Sequence, residues 1–435
     1  MFDLEEIKKY SPFCLSCLGR SVGLVGFGLD NRERGIEMIN IVELSENMNI
    51  VEEIICSPED CKICDGLIGE IDNFIDLACE SISDYSLETF KIGTIVDKDI
   101  LNLESEFANT FGVNLSESIK SQLNREIGIG VFQKNNILAR LDNPDSTVII
   151  DTRYDTINLE IKSIFVEGKY NKYDRTIPQT YWPCRKCKGK GCKGCNNTGQ
   201  LYPDSVQSLV AEPFMKVTKA TENLFHGMGR EDIDAAMLGL GRPFVLELRM
   251  PRNRDINLDE MADEINKSNV DRIQVNSLQF VPRKRVAELK NTVCDKSYRV
   301  DVSIPEDLTI ESLKNGAQRL KEKLVKQRTP TRVAHRRADL IRPRLVESVN
   351  VLSFEQGMVE LEIRAQHGTY IRELVSGDMG RTVPSFSSLV DGACKVEVLD
   401  VLNLHLEFEE DIFENLNPIN VVKSRNSLGG TGFDQ

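Results

Sequence analysis

Apolar residues recur at helical spacing from Ile71 to Cys79, and Ser116 to Ile127 has the same helical character; the two stretches predict helices. Thr147–Ile150 and Leu159–Val166 are rich in β-branched positions and predict two strands. Residues 71–180 therefore read as an α/β module without a catalytic cluster, suited to binding or positioning. From about residue 206 a helix-like run leads to strand candidates at Phe244–Arg249, Ile273–Phe280, Ser297–Val302 and Met358–Ile363. Glu311–Gln327 reads as one charged helix. Strands and helices do not alternate strictly here, so the pattern predicts a mixed α+β sheet and not a doubly wound one. Beyond Lys423 the chain turns to Ser and Gly and reads as a frayed tail.

A chain of 435 residues suggests two to four domains of about 100–200 residues each. At 40% hydrophobic and 28% charged the composition is globular, not that of a disordered chain. No apolar run approaches the ~20 residues a bilayer span needs. The opening Met1-Phe2-Asp3-Leu4-Glu5-Glu6 is acidic and lacks the basic-then-apolar order of a secretory signal. A cytoplasmic protein without a membrane role is expected. The net charge of −14 argues against coating nucleic acid through bulk charge. It leaves room for a local basic groove, because phosphates respond to charge within ~8–10 Å.

Eight of the twelve cysteines form four C-x-x-C pairs, and a reducing compartment makes metal binding a better use for them than disulfides. Cys14/Cys17 and Cys61/Cys64 can close one tetrahedral zinc site, with Cys56 as a nearby substitute ligand. Cys184/Cys187 and Cys192/Cys195 stand only four residues apart and form a second set. That second loop carries Arg185, Lys186, Lys188, Lys190 and Lys193 beside Tyr170, Tyr173, Tyr181 and Trp182. Positive charge with stacking faces points to RNA. The glycines of Gly23-Leu24-Val25-Gly26-Phe27-Gly28 lie between zinc ligands and read as a connection, not a nucleotide loop.

Gly229-Arg230-Glu231-Asp232-Ile233-Asp234, with Gly239, Gly241, Arg242, Pro243 and Phe244, sets carboxylates between glycines just ahead of a strand. Such a loop can present a reactive acid. By itself Asp232 reads better as a helix cap ahead of Asp234-Ala235-Ala236-Met237-Leu238 than as a reactive acid. A second basic tract holds Arg328, Arg332, His335, Arg336, Arg337, Arg342 and Arg344, and Gly368-Thr369-Tyr370-Ile371-Arg372 forms another tight stretch.

Three blocks together resemble the archaeal and eukaryotic tRNA pseudouridine synthases of the Pus-ten type, which act on the T-loop. They are Gly229–Asp234 with Leu238–Phe244, Lys296-Ser297-Tyr298-Arg299, and Gly368–Leu374 with Gly377-Asp378. The Cys14–Gly35 segment, the Arg336–Arg344 tract and, for the archaeal branch, the Trp182–Cys195 loop fit as well. The resemblance implies an α+β pseudouridine synthase domain, its mixed sheet flanked by helices, preceded by a zinc-bearing, THUMP-containing accessory region. The expected division is a zinc-binding segment at 1–70, a THUMP-like RNA-binding module at 71–180 and a basic four-cysteine zinc loop at 181–205. The catalytic domain is expected at 206–423 and a tail at 424–435.

The resemblance also assigns roles. Asp232 is the catalytic aspartate, Arg372 its partner, and Tyr298 packs on the target base and is a candidate for proton transfer at C5. In this setting Asp234 takes over the helix cap. Tyr370 and Leu374 line the uracil pocket. Arg230, Arg336, Arg337, Arg342, Arg344, Lys186 and Lys188 bind substrate, a tRNA T-arm, and no obligate protein partner is evident. Isomerising uridine neither adds nor removes a group, so structural zinc and no organic cofactor are expected. The competing reading is a zinc-dependent tRNA-binding or chaperone-like module without chemistry, because the Cys184–Cys195 loop also resembles the cysteine-glycine repeats of DnaJ-type proteins. A THUMP-bearing thiolation or methyltransferase enzyme would need a nucleotide or adenosylmethionine loop, which the downstream sequence does not offer. Position 54, position 55 or both of the tRNA remain open targets.

Overall fold

The computed structural model describes residues 4–46, 54–111, 115–335 and 337–406. The tail beyond Lys423 and Arg336 lie outside the described residues. Two compact units divide the chain: Met1–Ile164 with Thr218–Glu222 and Arg249–Asp255, and the remainder. Among the described residues no helix is long and apolar enough to cross a membrane.

In the first unit Phe13–Cys14 pairs in parallel with Ile55–Cys56, which carries Cys14 towards the second C-x-x-C turn. The predicted helices are Ile71–Ile82 and Ile119–Asn135. The former buries Phe74, Ile75, Ala78 and Ile82 on one face, and the latter starts at Ser118, whose side chain accepts from the Ser121 N–H. They pack on a sheet of β1 (Thr89–Ile95), β2 (Leu138–Ala139), β3 (Ser146–Asp151) and β4 (Thr156–Ile161), in the order β2–β1–β3–β4. The Gly23–Gly28 stretch is a series of turns, as its glycines suggest.

Leu159–Val166 is not one strand. β4 ends at Ile161, and the Lys162 N–H turns to the Asp145 carbonyl at 2.8 Å. The chain resumes as β5 (Ile164–Lys172) in a different sheet. Only Lys162 and Ser163 separate the apolar residues on the two sides of the break, so the pattern hides it.

The second unit is built on a ten-stranded mixed sheet, the α+β architecture expected from the strand pattern. Its strands are β5, β6 (Glu222–Gly227), β7 (Ala236–Arg249), β8 (Ile273–Phe280), β9 (Asp295–Ser303), β10 (Lys323–Arg328), β11 (Ile341–Glu355), β12 (Met358–Ala365), β13 (Thr382–Val383) and β14 (Lys395–His405). They run β8–β5–β7–β14–β9–β12–β11–β10–β13, with β6 added on β7. β7 and β14 pair in parallel, Ala236 against Asp400 and Met237 against Val401. β9 lies between β14 and β12, so Tyr298 is flanked by Val401 and Ile363.

Glu311–Gln327 is a helix only over Ile310–Leu320, closed at its start by a Thr309/Ser312 capping box. Glu322 then takes a left-handed φ of 53°, and β10 follows with Val325 and Gln327 buried in strand alternation. No helix follows Asp234 either, because Ala236 already opens β7. Asp234 is therefore not a cap.

Within β7, Gly239 has φ +60°, and a Cβ there would stand 2.0 Å from the Leu402 carbonyl oxygen of β14. Only glycine allows the two strands to meet at this point. Gly239→Ala is expected to cost at least about 1–3 kcal/mol, the scale of a left-handed non-glycine residue. Urea unfolding would show it as a lower midpoint, and an unchanged midpoint would mean that the strands do not meet in this way.

Candidate active site

The loop between β6 and β7 carries Gly229–Asp234, and its shape is set by buried charge. Glu231 and Arg242, the latter from β7, form an ion pair at 2.8 Å with both side chains about 1% exposed. Buried ions are tolerated when their remaining polar valences are filled. Here the Tyr170 hydroxyl donates to Glu231, 2.9 Å from either oxygen, and Arg242 Nη1 donates to the Met228 carbonyl at 2.8 Å. Gln179 Nε2 contacts both the Tyr170 hydroxyl (2.8 Å) and the Gly229 carbonyl (3.0 Å). Burial raises the Tyr170 phenol well above its ordinary range, and the Glu231 charge adds to this. It stays a donor. Burial opposes the Arg242 charge, but Glu231 more than compensates and the guanidinium holds its proton more tightly than usual.

Lys172, on β5, fixes the far side of the loop. Its Nζ donates to the carbonyls of Ile233 (2.6 Å), Ile177 (3.1 Å) and Asp232 (3.4 Å). Arg175 donates to the Asp234 carbonyl at 3.1 Å and pairs with Asp400 at 2.6 Å. The backbone on both sides of Asp232 is thus held by side chains from β5, β7 and the 175–179 connection. The Asp232 carboxylate itself is left half-exposed on the wall of a cavity of about 1060 Å³.

Tyr298 lines that cavity from β9. Burial pushes its phenol up to about 12 against the opposing pull of Arg242, so it is neutral at ordinary pH. Tyr370, ahead of the helix Ile371–Ser376, lines the cavity too, and its hydroxyl accepts from Arg337 at 3.1 Å. Arg230 lies on the wall with its guanidinium 5.3 Å from the Trp182 ring centre, and Trp182 meets Tyr202 edge-on at 5.8 Å.

Arg372 does not touch Asp232. It pairs with Asp234 at 2.7 Å, while Arg332 Nη1 lies 3.3 Å from the Asp232 carboxylate and its Nε holds the buried Glu373 at 2.8 Å. Leu374 is fully buried beneath its helix and does not form part of the cavity wall. Arg342 donates to the Thr329 hydroxyl at 3.1 Å, and Arg344 lies against Gly368; neither reaches the wall. Lys186 and Lys188 lie on the cysteine loop, also away from it. Sequence reasoning assigned no site role to Glu231, Arg242, Lys172 or Arg332, and Tyr170, expected as a stacking face for RNA, is instead fully buried. The available signal was a charge just ahead of an apolar strand run, as at Arg242.

Both cysteine quartets assemble. The Sγ atoms of Cys14, Cys17, Cys61 and Cys64 lie within 4.8 Å of one another, as do those of Cys184, Cys187, Cys192 and Cys195. Sulfurs each ~2.3 Å from a central ion would have tetrahedral edges of about 3.8 Å. The observed Cys187–Cys195, Cys192–Cys195 and Cys17–Cys61 separations are 3.8, 3.7 and 3.6 Å. Peptide N–H groups point at these sulfurs, Cys14 to Cys61 at 3.2 Å and Gly199 to Cys195 at 3.3 Å, as thiolate ligands require. Both sets can hold a metal ion. Cys56 stands outside the first, which is complete without it.

The buried pair makes a direct prediction. Glu231→Ala strands the Arg242 charge and should cost about 3–5 kcal/mol, whereas Glu231→Leu with Arg242→Met should cost distinctly less. Urea unfolding of the two variants distinguishes them; equal losses would show that the pair is not the buried unit described.

Residues 165–405 match the family model described as Pus10, C-terminal, and residues 74–151 match Pus10 THUMP domain, archaeal. The tRNA pseudouridine synthase Pus10 of Methanocaldococcus jannaschii is 41% identical over 93% of this chain and 94% of its own. That of Methanothrix thermoacetophila is 34% identical over 92% and 93%, and that of Halorubrum lacusprofundi 36% over 93% and 95%. The chain therefore belongs to the Pus10 family of tRNA pseudouridine synthases, which are isomerases.

Proposed function

We propose that this chain converts uridine in the T-loop of tRNA, at position 54, 55 or both, to pseudouridine, with Asp232 acting on the sugar. The observation that carries this is the presentation of Asp232: a buried ion pair and Lys172 hold its backbone, and its carboxylate opens on a cavity shared with Tyr298. An ionised carboxylate can attack the sugar or remove a proton from it. The reaction breaks the bond from C1′ to N1, turns the uracil, and joins C5 to the same C1′. The proton lost from C5 balances the one gained at N1. Tyr298, a neutral phenol, serves as packing face and proton carrier for that stage.

Arg332 steadies Asp232, and Arg372 acts at one remove by holding Asp234. The target nucleotide must leave its stack to enter the cavity. Arg230 on Trp182 and Arg337 on Tyr370 offer stacking and phosphate contacts around it. Residues from the THUMP match grip the rest of the tRNA, and the enzyme works in the cytoplasm with no obligate protein partner. Membership of an isomerase family sets aside the binding-only alternative.

Zinc suits both quartets, since four thiolates favour it. Its task is structural: the Leu201 N–H to Trp182 carbonyl bond (2.9 Å) closes the 184–195 loop and sets Trp182 and Tyr202 on the cavity wall. Cys192→Ser should release one metal ion per chain by elemental analysis and slow product formation; undiminished metal content would refute the ligand assignment.

The reading is tested by site-resolved pseudouridine mapping on an unmodified tRNA transcript. Wild type should modify the T-loop, and Asp232→Ala should bind tRNA as before while its rate falls roughly 10⁴-fold or more. Product from the Ala variant at the normal rate would remove Asp232 from its role.

A further inference from the structure

Lys296 stands two residues before Tyr298 on β9, so both side chains leave the same face of the strand, and both line the cavity. All five arginines of the wall are engaged. Arg242 pairs with Glu231, Arg332 with Asp232 and Glu373, and Arg372 with Asp234; Arg337 donates to Tyr370 and Arg230 lies over Trp182. The Lys296 ammonium makes no hydrogen bond or ion pair with the described residues. Its Nζ would stand 3.5 Å from a Cβ on Gly229, and Arg242 Nη1 would stand 3.4 Å from the same point. Burial and the neighbouring Arg242 charge both weaken its hold on its proton.

A half-buried cation in such a place is complemented by a ligand carrying negative charge. RNA offers two kinds, backbone phosphate and the base itself. Lys296 shares the strand face of Tyr298, the residue that packs on the uracil in the reading above, on which this inference rests. That placement favours the base.

We propose that Lys296 is a further catalytic residue, donating a hydrogen bond to a carbonyl oxygen of the flipped uracil. When C1′–N1 breaks, the bonding pair passes to the ring and its charge spreads over N1 and the carbonyl oxygens. Lys296 stabilises that charge while keeping its own proton. It keeps the detached base in place while the ring turns. When C5 bonds to C1′, the ring's electron pair is spent in the new bond and its charge is discharged; loss of the C5 proton and gain of one at N1 then restore the aromatic ring. A positioned donor of this kind is worth roughly 10²–10³-fold in rate.

Single-turnover pseudouridine formation at saturating enzyme tests this, with tRNA affinity measured separately at several salt concentrations. Lys296→Met is expected to lose about 10²–10³-fold in rate with affinity and salt slope unchanged, and Lys296→Arg to recover part of the loss. Should Met impair folding, Lys296→Gln gives the same comparison. A normal single-turnover rate, or a loss confined to affinity with a shallower salt slope, would overturn the proposal; the latter would make Lys296 a phosphate ligand. Asp232→Ala, run alongside, keeps the two claims apart. If that variant forms product normally the site reading itself fails, whereas a normal rate for Lys296→Met alone rejects only the role given to lysine.

Discussion

The ion pair between Glu231 and Arg242 is the constraint on which the site depends. Two charges with almost no access to water are stable only if each is matched, and the matching reaches outward. Tyr170, itself held by Gln179, donates to Glu231, and the Met228 carbonyl accepts from Arg242. Two of these side chains also fix backbone: Gln179 holds Gly229, and Arg242 holds Met228 before it. The acid next in sequence, Asp232, is thereby turned to the cavity without spending its own charge on the core. Glu231 serves structure and leaves the Asp232 carboxylate open to the cavity, as its proposed role requires.

How far this was legible in the sequence follows from where each residue finds its partner. β8 and β12 are read closely because their apolar positions alternate along the strand. β5 is legible only at its first residues, since Glu167, Lys169, Asn171 and Lys172 look like a surface segment. In the fold Glu167 is paired with Arg285 at 2.7 Å, and Lys172 is spent on three carbonyls. Buried polar residues answered by distant partners leave no local pattern. The same cause hides β10, whose Lys323-Leu324-Val325-Lys326-Gln327-Arg328 continues the charge rhythm of the preceding helix. For the site, motif order placed Asp232, Tyr298, Tyr370 and Arg372 near one another, and the cavity contains all four. The pairing of Arg372 was the part that only three dimensions supply, because Asp232 and Asp234 are indistinguishable as acids in the loop.

Charge distribution resolves the tension between an acidic chain and an anionic substrate. The net charge is −14, yet five arginines and Lys296 converge on one cavity. Much of the basic tract from Arg328 to Arg344 is internally balanced. Asp339 takes both Arg328 (2.6 Å) and Arg381 (2.8 Å), and Glu373 takes Arg332. That balancing turns a run of positive charge into a shaped surface, and only some of its members face the cavity. The long-range field is acidic, so grip on RNA must come from short-range contacts, where screening matters least.

The central claim is that the Asp232 carboxylate acts on the sugar, while Glu231, Arg242 and Lys172 hold it in place. Asp232→Asn preserves shape and removes the charge, so single-turnover product formation measured together with thermal unfolding tests it most directly. The account predicts product formation lost and the unfolding curve unchanged. Product at the wild-type rate, or a loss that merely follows unfolding, would contradict it.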